Sequence, residues 1–410
     1  MKKLHALEFS LTIGCIMDCR YCPQKLLLQK YYGKDKNRES KLSFENFKSA
    51  LNQVRDGGEI SFAGMSEPFA NRECADMIVY AHEQGYKVSL LTTAVGMTKE
   101  DYEKIKGIPF DSFVLHIPDI EMRSKIPITE EYLEILQLVV NHIDVDYYSC
   151  HGTVHTSVAE IIDKGKYAGI SLGNRAGNLK LDNYPVQLRK KGRIVCYHGS
   201  EYQVGGWAPV MFPDGTLVLC CMDYGMKHNL GNLFMQSWDE IRASQECQQF
   251  KSGLDDDSID ILCRTCTDAV TVDALPAIRI RDIVMRIKNG NKQGVIPSLF
   301  MDLAQLNQVV VYGMGKLFSD HFFQEHWDEG LNVTALSDKN IRSRGSFIEG
   351  IECVPVGDLK GRKDIAMIVF VKNDVEAIKQ QIQNMGIEYV YSIDEIVSAY
   401  EYVLGKKIKW

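Results

Sequence analysis

The run Gly14-Cys15-Ile16-Met17-Asp18-Cys19-Arg20-Tyr21-Cys22-Pro23 decides how the rest of the chain is read. Its spacing is C-x3-C-x2-C. Iron–sulfur cubanes are held by cysteine thiolates, four of them in a closed site. Three ligands in one tight loop leave one iron open to whatever the loop faces. Buried core cysteines do not usually fall at this spacing, and a zinc knuckle wants a fourth Cys or His close by. The nearest histidine, His5, lies upstream in a run that reads as a strand. The stretch predicts an open-iron cluster rather than a sealed electron wire.

Outward from this loop, residues 1–190 alternate short apolar runs with helical stretches, the pattern of parallel βα units. Residues 5–13 read as the first strand, which delivers the cysteine loop at its C-terminal end. Residues 43–55 predict a helix with Ser43 as N-cap and Phe44, Phe47, Ala50, Leu51 and Val54 on one face. Residues 59–63, 87–91, 112–117 and 145–148 read as further strands. Gly64-Met65-Ser66-Glu67-Pro68 follows the second strand. There a glycine lets backbone approach a ligand and a carboxylate can receive an ammonium. Thr92-Thr93-Ala94-Val95-Gly96 follows the third. His116, Cys150 and His151 stand at strand C-terminal ends, where barrel enzymes do their chemistry. Each is a candidate substrate contact or a packed residue with a satisfied hydrogen bond. Leu172-Gly173-Asn174-Arg175-Ala176-Gly177-Asn178 comes after the sixth strand, and the fork of Arg175 could clamp a carboxylate or a hydroxyl.

A second cysteine set follows: Cys196, then Gly215-Thr216-Leu217-Val218-Leu219-Cys220, then Cys263-Arg264-Thr265-Cys266. Asp214-Gly215 between apolar runs reads as a hairpin turn. These four thiols could hold an auxiliary 4Fe-4S cluster, or a structural zinc. Cys221 competes with Cys220 for the ligand role. Of the other cysteines, Cys74, Cys247 and Cys353 read as buried thiols, while Cys150 or Cys221 could give a hydrogen atom to a substrate radical.

After a helix over residues 276–289 and a linker, a separate α/β unit begins. Residues 308–312 read as a strand, Gly313-Met314-Gly315 as a glycine turn into a helix, and Ser337-Asp338 as the end of the next strand. This is a Rossmann-like pattern with a carboxylate about 25 residues past the first glycine. The third fingerprint position is Phe318, so nucleotide binding and a purely structural use both stay open. A nucleoside-diphosphate sugar is one candidate ligand.

The chain has 410 residues, 45% hydrophobic, with net charge -7 and twelve cysteines. The acidic balance argues against nucleic-acid binding. No apolar run is long enough for a membrane span. Met1-Lys2-Lys3-Leu4-His5 lacks an apolar signal core, so a reducing, cytoplasmic setting is expected.

The cysteine loop, with an aromatic before its last Cys, resembles the radical S-adenosylmethionine (SAM) superfamily. The segment around Gly64 is similar to the superfamily's G-x-G-E-P element, with Ser66 at the second glycine. The run at Thr93 resembles its T-N-G turn without the asparagine, and Arg175-Ala176-Gly177-Asn178 its R-[AS]-G-N element. The second cysteine set resembles the twitch domain, a shortened SPASM domain. The resemblance covers residues 5–270. It implies a partial (β/α)6 TIM-like barrel (1–190), a small twitch auxiliary-cluster domain (191–285), a linker (286–306) and the Rossmann-like parallel sheet (307–410). It implies Cys15, Cys19 and Cys22 on the SAM cluster, and Cys196, Cys220, Cys263 and Cys266 on the auxiliary one. Gly64, Glu67, Thr93 and Arg175 would lie along SAM, with Arg175, Cys150, His116 and His151 toward the substrate. The cofactors implied are two 4Fe-4S clusters and SAM, with a flavodoxin- or ferredoxin-type electron donor. SAM would be split to a 5′-deoxyadenosyl radical that takes a hydrogen atom from a sugar-like small molecule, leading to oxidation or redox rearrangement of an alcohol. Peptide maturation and a non-catalytic electron-transfer module are the alternatives.

Overall fold

The computed structural model describes residues 3–33, 35–163, 166–169, 173–179, 189–196, 208–288, 296–405 and 407–408. The chain divides into two compact units, residues 1–270 and 271–410.

The first unit is built on six parallel strands that are neighbours in chain order: β1 (Leu4–Phe9), β2 (Val54–Phe62), β3 (Lys87–Thr92), β4 (Ser112–His116), β5 (Tyr147–Cys150) and β6 (Tyr167–Gly169). Helices α1 (Gln24–Tyr32), α2 (Phe44–Leu51), α3 (Cys74–Glu83), α4 (Lys99–Ile105), α5 (Glu130–His142) and α6 (Thr156–Ala159) fill the crossovers. This is the partial TIM-like barrel. Side chains paired across neighbouring strands share a face. One face carries the row Phe9, Phe62, Leu90 and Phe113, fully buried with Phe47 and Ala50 of α2 in one core. On the opposite face, register runs from Glu8 to Ser61, Ser89 and Ser112.

The same sheet continues past β1. Strand β8 (Val210–Met211) lies parallel to β1, and the Glu8 amide donates to the Pro209 carbonyl at 3.0 Å. Antiparallel β9 (Thr216–Val218) and β10 (Asn229–Asn232) complete nine strands. The Asp214-Gly215 pair does form the β8–β9 turn, with Gly215 at φ 84°. A short β7 (Ile194–Cys196) stands outside this sheet. Helix α7 (Trp238–Ala243) starts on a capping box between Ser237 and Glu240, and α8 (Gln245–Asp255) follows.

Several local boundaries differ from those read in the sequence. The helix expected over 43–55 is capped by Ser43 but ends at Leu51. Val54, assigned to its apolar face, instead opens β2 opposite Leu4, fully buried. Gly57 and Gly58 bulge the strand there, which masked its first half as a turn. Strand β1 ends at Phe9 rather than 13, and β5 sits two residues later than expected. Helix α1 had no counterpart in the reading. Its charged and glutamine residues hide an apolar stripe, Leu27 and Tyr31, that packs on Ile13, Val210 and Phe212. Residues expected to form a separate auxiliary domain join the barrel's own unit, and the second unit starts at 271, ahead of the expected linker. Residues 289–295, most of the expected helix-to-strand junction, lie outside the described residues.

The second unit opens with α9 (Leu275–Lys288) and α10 (Ser298–Gln305). Its sheet is centred on β11 (Gln308–Tyr312), which pairs in parallel with β12 (Val333–Ser337) on one side and β15 (Ile365–Val369) on the other. β16 (Tyr389–Ser392) extends one edge. The pair β13 (Ser346–Ile348) and β14 (Ile351–Cys353) extends the other. The glycine turn is present, with Gly313 at φ 100°. Asp338 is spent within the fold: it accepts from the Met314 amide at 3.0 Å and the Asn340 amide at 2.9 Å. Phe318 is buried and stacks on Phe322 at 4.5 Å.

Phe62 touches both Phe9 and Phe47, so Phe62→Ala should cost about 3–5 kcal/mol. Denaturant unfolding of the full chain should show it as a lowered midpoint for the barrel transition.

Candidate functional site

The cysteine loop has no regular structure of its own, and its shape comes from what ties it down. The Cys19 thiol donates to the Ser124 carbonyl at 2.8 Å, and the Arg20 amide donates to the Arg123 carbonyl at 2.8 Å. That strap after β4 is itself fixed by Asp119, fully buried. Its carboxylate accepts from the amides of Arg123 and Ser124 and from the Ser124 hydroxyl at 2.9 Å. Burial pushes the Asp119 carboxyl up, and these donors outweigh it and hold the group below its ordinary range. Gly14 and Asp18, at φ 96° and 43°, let the loop turn inward.

Cys15, Cys19 and Cys22 are all partly exposed and close enough that Cys22 acts on both of the others. Burial raises Cys15, and it pushes Cys19 up to about 12. Gly64, at φ 73°, comes so near β1 that a Cβ would stand 2.9 Å from the Ser10 Cα. Ser66, in place of a second glycine, meets the Ser10 hydroxyl at 3.3 Å.

Glu67 is buried and its acceptor sites are filled. Oε1 accepts from the Phe69 amide at 3.2 Å and the Thr92 hydroxyl at 2.5 Å; Oε2 accepts from the Thr93 amide at 2.8 Å and hydroxyl at 2.7 Å. The carboxylate therefore joins the turns after β2 and β3. The Thr93 hydroxyl also lies 3.3 Å from the Met17 sulfur, placing the cysteine loop against the same knot.

At the barrel mouth, His116 bonds on both ring nitrogens: Nε2 with the Tyr21 hydroxyl at 2.6 Å and Nδ1 with the Ser149 hydroxyl at 2.7 Å. His151 packs edge-on to Tyr21 at 4.2 Å. Burial first, then the charges of His151 and Arg175, push His116 down to about 3, so it stays a neutral imidazole. Cys150 follows Ser149 and faces the other way, into the core with Tyr148. Its thiol donates to the Gly152 carbonyl at 3.4 Å. The structure does not bring it to His116.

Arg175 occupies a left-handed turn at φ 47° and donates to the Met222 sulfur at 3.7 Å. Burial pulls its pKa down, but Tyr224, Cys221, Cys22 and Tyr21 outweigh that and keep it charged. It thus lies near Cys22 of the first cysteine set and near Cys221. Leu172, at the head of its motif, lies outside the described residues. Asn174 donates to the Thr265 carbonyl at 2.8 Å and accepts from the Thr267 amide at 3.3 Å, lacing this turn to the Cys263–Cys266 loop.

Cys196, Cys220, Cys263 and Cys266 come together, all buried: Cys220 feels Cys263 and Cys266, and both of those feel Cys196 or each other. The fully buried Arg264 fastens their loop through carbonyls including Gly253 at 2.6 Å. His228 accepts from the Leu262 amide at 3.0 Å. Cys221 is partly exposed and lies within electrostatic reach of Glu8, Arg175 and Asp268 as well as of Cys266. Burial raises the thiols of Cys220, Cys263 and Cys266, the last to about 12. Four thiolates in so dry a place need a compensating cationic centre. Among the described residues, no three His, Cys, Asp or Glu side chains converge as they would on a single ion. A cubane, whose irons each take a different thiolate, fits the wider donor sets here. Tyr21, Asp119, Ser149 and Tyr224 were not singled out as site residues in the sequence. Only Tyr21, beside a motif cysteine, carried a signal.

Residues 9–158 match the radical SAM superfamily, and residues 209–267 match SPASM, an iron–sulfur cluster-binding domain. The chain therefore carries a radical SAM domain and a SPASM domain, whose cofactors are 4Fe-4S clusters and SAM. A PqqA peptide cyclase from Streptomyces rochei is 30% identical over 113 residues, 27% of this chain and 29% of the relative's length. Among solved structures, BtrN in complex with AdoMet and 2-DOIA matches with TM-score 0.43 at 17% identity, over 65% of this chain and 94% of that one. Streptococcus suis SuiB bound to precursor peptide SuiA matches with TM-score 0.45 at 12% identity, over 65% and 70%. Among the described residues, no helix is long and apolar enough to cross a membrane.

Glu67→Ala would strand the Thr93 amide and two hydroxyls, and should cost about 2–4 kcal/mol in denaturant unfolding. His116 gives a pH signature. Its folded pKa of about 3 lies below the unfolded 6.5, so the unfolded chain binds the proton first. The stability it contributes is full above pH 6.5 and drains as pH falls toward 3. His116→Asn should flatten the loss of stability between about pH 7 and 5, read by unfolding at each pH.

Proposed function

We propose that this chain is a radical SAM enzyme acting on a carbohydrate-like alcohol, free or nucleotide-linked, by oxidation or redox rearrangement. Cys15, Cys19 and Cys22 hold the SAM-binding cluster; Cys196, Cys220, Cys263 and Cys266 hold the auxiliary one. A cluster held by Cys15, Cys19 and Cys22 would supply one-electron reduction of SAM, and with it the means of hydrogen-atom abstraction from substrate. An external flavodoxin- or ferredoxin-type protein is the electron source.

The observation that carries this reading is Arg175, a charged guanidinium at the Met222 sulfur and within electrostatic reach of Tyr21, Cys22, Cys221 and Tyr224. Its rigid fork suits an oxygen of the substrate and favours the anionic form of an alcohol. The Tyr21–His116–Ser149 chain supplies a neutral imidazole bonded on both nitrogens, which can relay a proton between the two hydroxyls without holding it. Gly64 supports close approach of backbone to SAM, while Glu67 and Thr93 shape that surface rather than offering free acceptors. Cys220, whose neighbours are Cys263 and Cys266, is the better auxiliary ligand than Cys221.

Peptide modification is the second reading, favoured by the resemblance to a peptide cyclase over 113 residues. The two separate by mass spectrometry after incubation with sugars and sugar nucleotides or with peptides.

Anaerobic reconstitution should load about eight irons per chain, four per cubane. Cys220→Ala should lose about half of them and Cys221→Ala none. With reductant and SAM, 5′-deoxyadenosine should form and vanish in Cys19→Ala. A fully loaded, reduced protein that makes none across the sugar and peptide panel would overturn the radical reading.

A further inference from the structure

The cross-strand row Glu8–Ser61–Ser89 holds two buried polar atoms with no partner: Glu8 Oε1 and Ser89 Oγ. Glu8 is 6% exposed and Ser89 is 4% exposed. They lie on strands β1 and β3, on either side of Ser61 of β2, and register points all three side chains to one face. That face is opposite the aromatic core, so neither atom is a packing error of the helix-facing side. The row is not sealed. Ser61 between them is partly exposed, and Leu91, on the Ser89 face of β3, is 43% exposed. The Gly64 amide lies against the Glu8 carboxyl, and Cys221 is within its electrostatic reach. The row thus borders the surface assigned above to SAM and substrate.

An orphaned buried acceptor costs free energy in the resting fold, and it persists where something else completes it. A carboxylate can only accept, and a serine hydroxyl can do both. The partner that satisfies them carries an O–H or N–H group at Glu8 and a second polar atom one strand spacing further at Ser61, or two at Ser89. We infer that this row is a substrate subsite for a molecule bearing several polar substituents along one edge, with a hydroxyl or an ammonium donated to Glu8. Polyols and amino sugars have that pattern. An extended peptide, whose backbone donors alternate in direction, does not match two acceptors in one row. The inference rests on the radical SAM reading of the site and narrows its substrate. Burial pushes Glu8 up to about 7, in keeping with a carboxyl that lacks its counter-group.

The test is equilibrium dialysis of glucose, myo-inositol, glucosamine and deoxystreptamine against the reconstituted, unreduced full chain. Without reductant there is no turnover, so binding is read apart from SAM cleavage. If the radical reading alone fails, binding persists without 5′-deoxyadenosine. The expected result is binding that Glu8→Gln weakens at least about tenfold, the loss of a charge-assisted bond. Preference for the two amines identifies an ammonium at Glu8; equal binding of the neutral pair identifies a hydroxyl. Ser89→Ala should weaken binding about threefold or more without lowering the thermal midpoint, because it removes an unsatisfied buried group. This second variant keeps the test valid should Glu8→Gln fold poorly. Binding of none of the four probes, or affinities unchanged in both variants, overturns the proposal and leaves the row to ordered water.

Discussion

Three thiols must be held at cluster spacing on a loop that makes almost no hydrogen bonds within itself. The constraint is met from outside, by one buried carboxylate. Asp119 gathers three donors from residues 123 and 124, and the strap so formed fixes Cys19 and Arg20. A second carboxylate, Glu67, does the same for the turns beneath, and Thr93 brings Met17 into that knot. Both acids are buried, and both are spent on donors of the chain. The site's shape is set by two carboxyl groups whose acceptor sites are taken up by the chain's own donors.

Much of this was legible in the residues. Strand β4, the Asp214-Gly215 turn and the Ser43 cap are short-range signals, and each formed. The cysteine sets were legible because thiol spacing is chemistry rather than propensity. What local reading lost were features decided at long range. Val54 belongs to a strand because Leu4 lies opposite it, and no window around residue 54 contains that fact. The strap that Asp119 folds meets Cys19 from 105 positions away, and Tyr224 meets Cys22 from 202, and neither stands in a motif. Cys150 looked like a site residue because it ends a strand. The alternation of side chains, one residue out of step with Ser149, turns it into the core.

The second unit shows the same limit from the other direction. A glycine turn followed by a carboxylate reads as a nucleotide fingerprint. Here Asp338 caps that turn itself, and Phe318 fills the place where a third glycine would let a helix close in. The sheet is doubly wound in the expected manner, so the pattern of strands was informative where the pattern of ligands was not.

Strand β8 adds to β1 in a continuous backbone ladder, and the hairpin it begins leads directly to Cys220. The loop that carries Cys15 leaves the same β1. The first cysteine loop and the strand that precedes Cys220 therefore hang from one hydrogen-bonded pair of strands. Displacing β8 along β1 would break that ladder, so Cys15 and Cys220 keep their separation without a hinge between them.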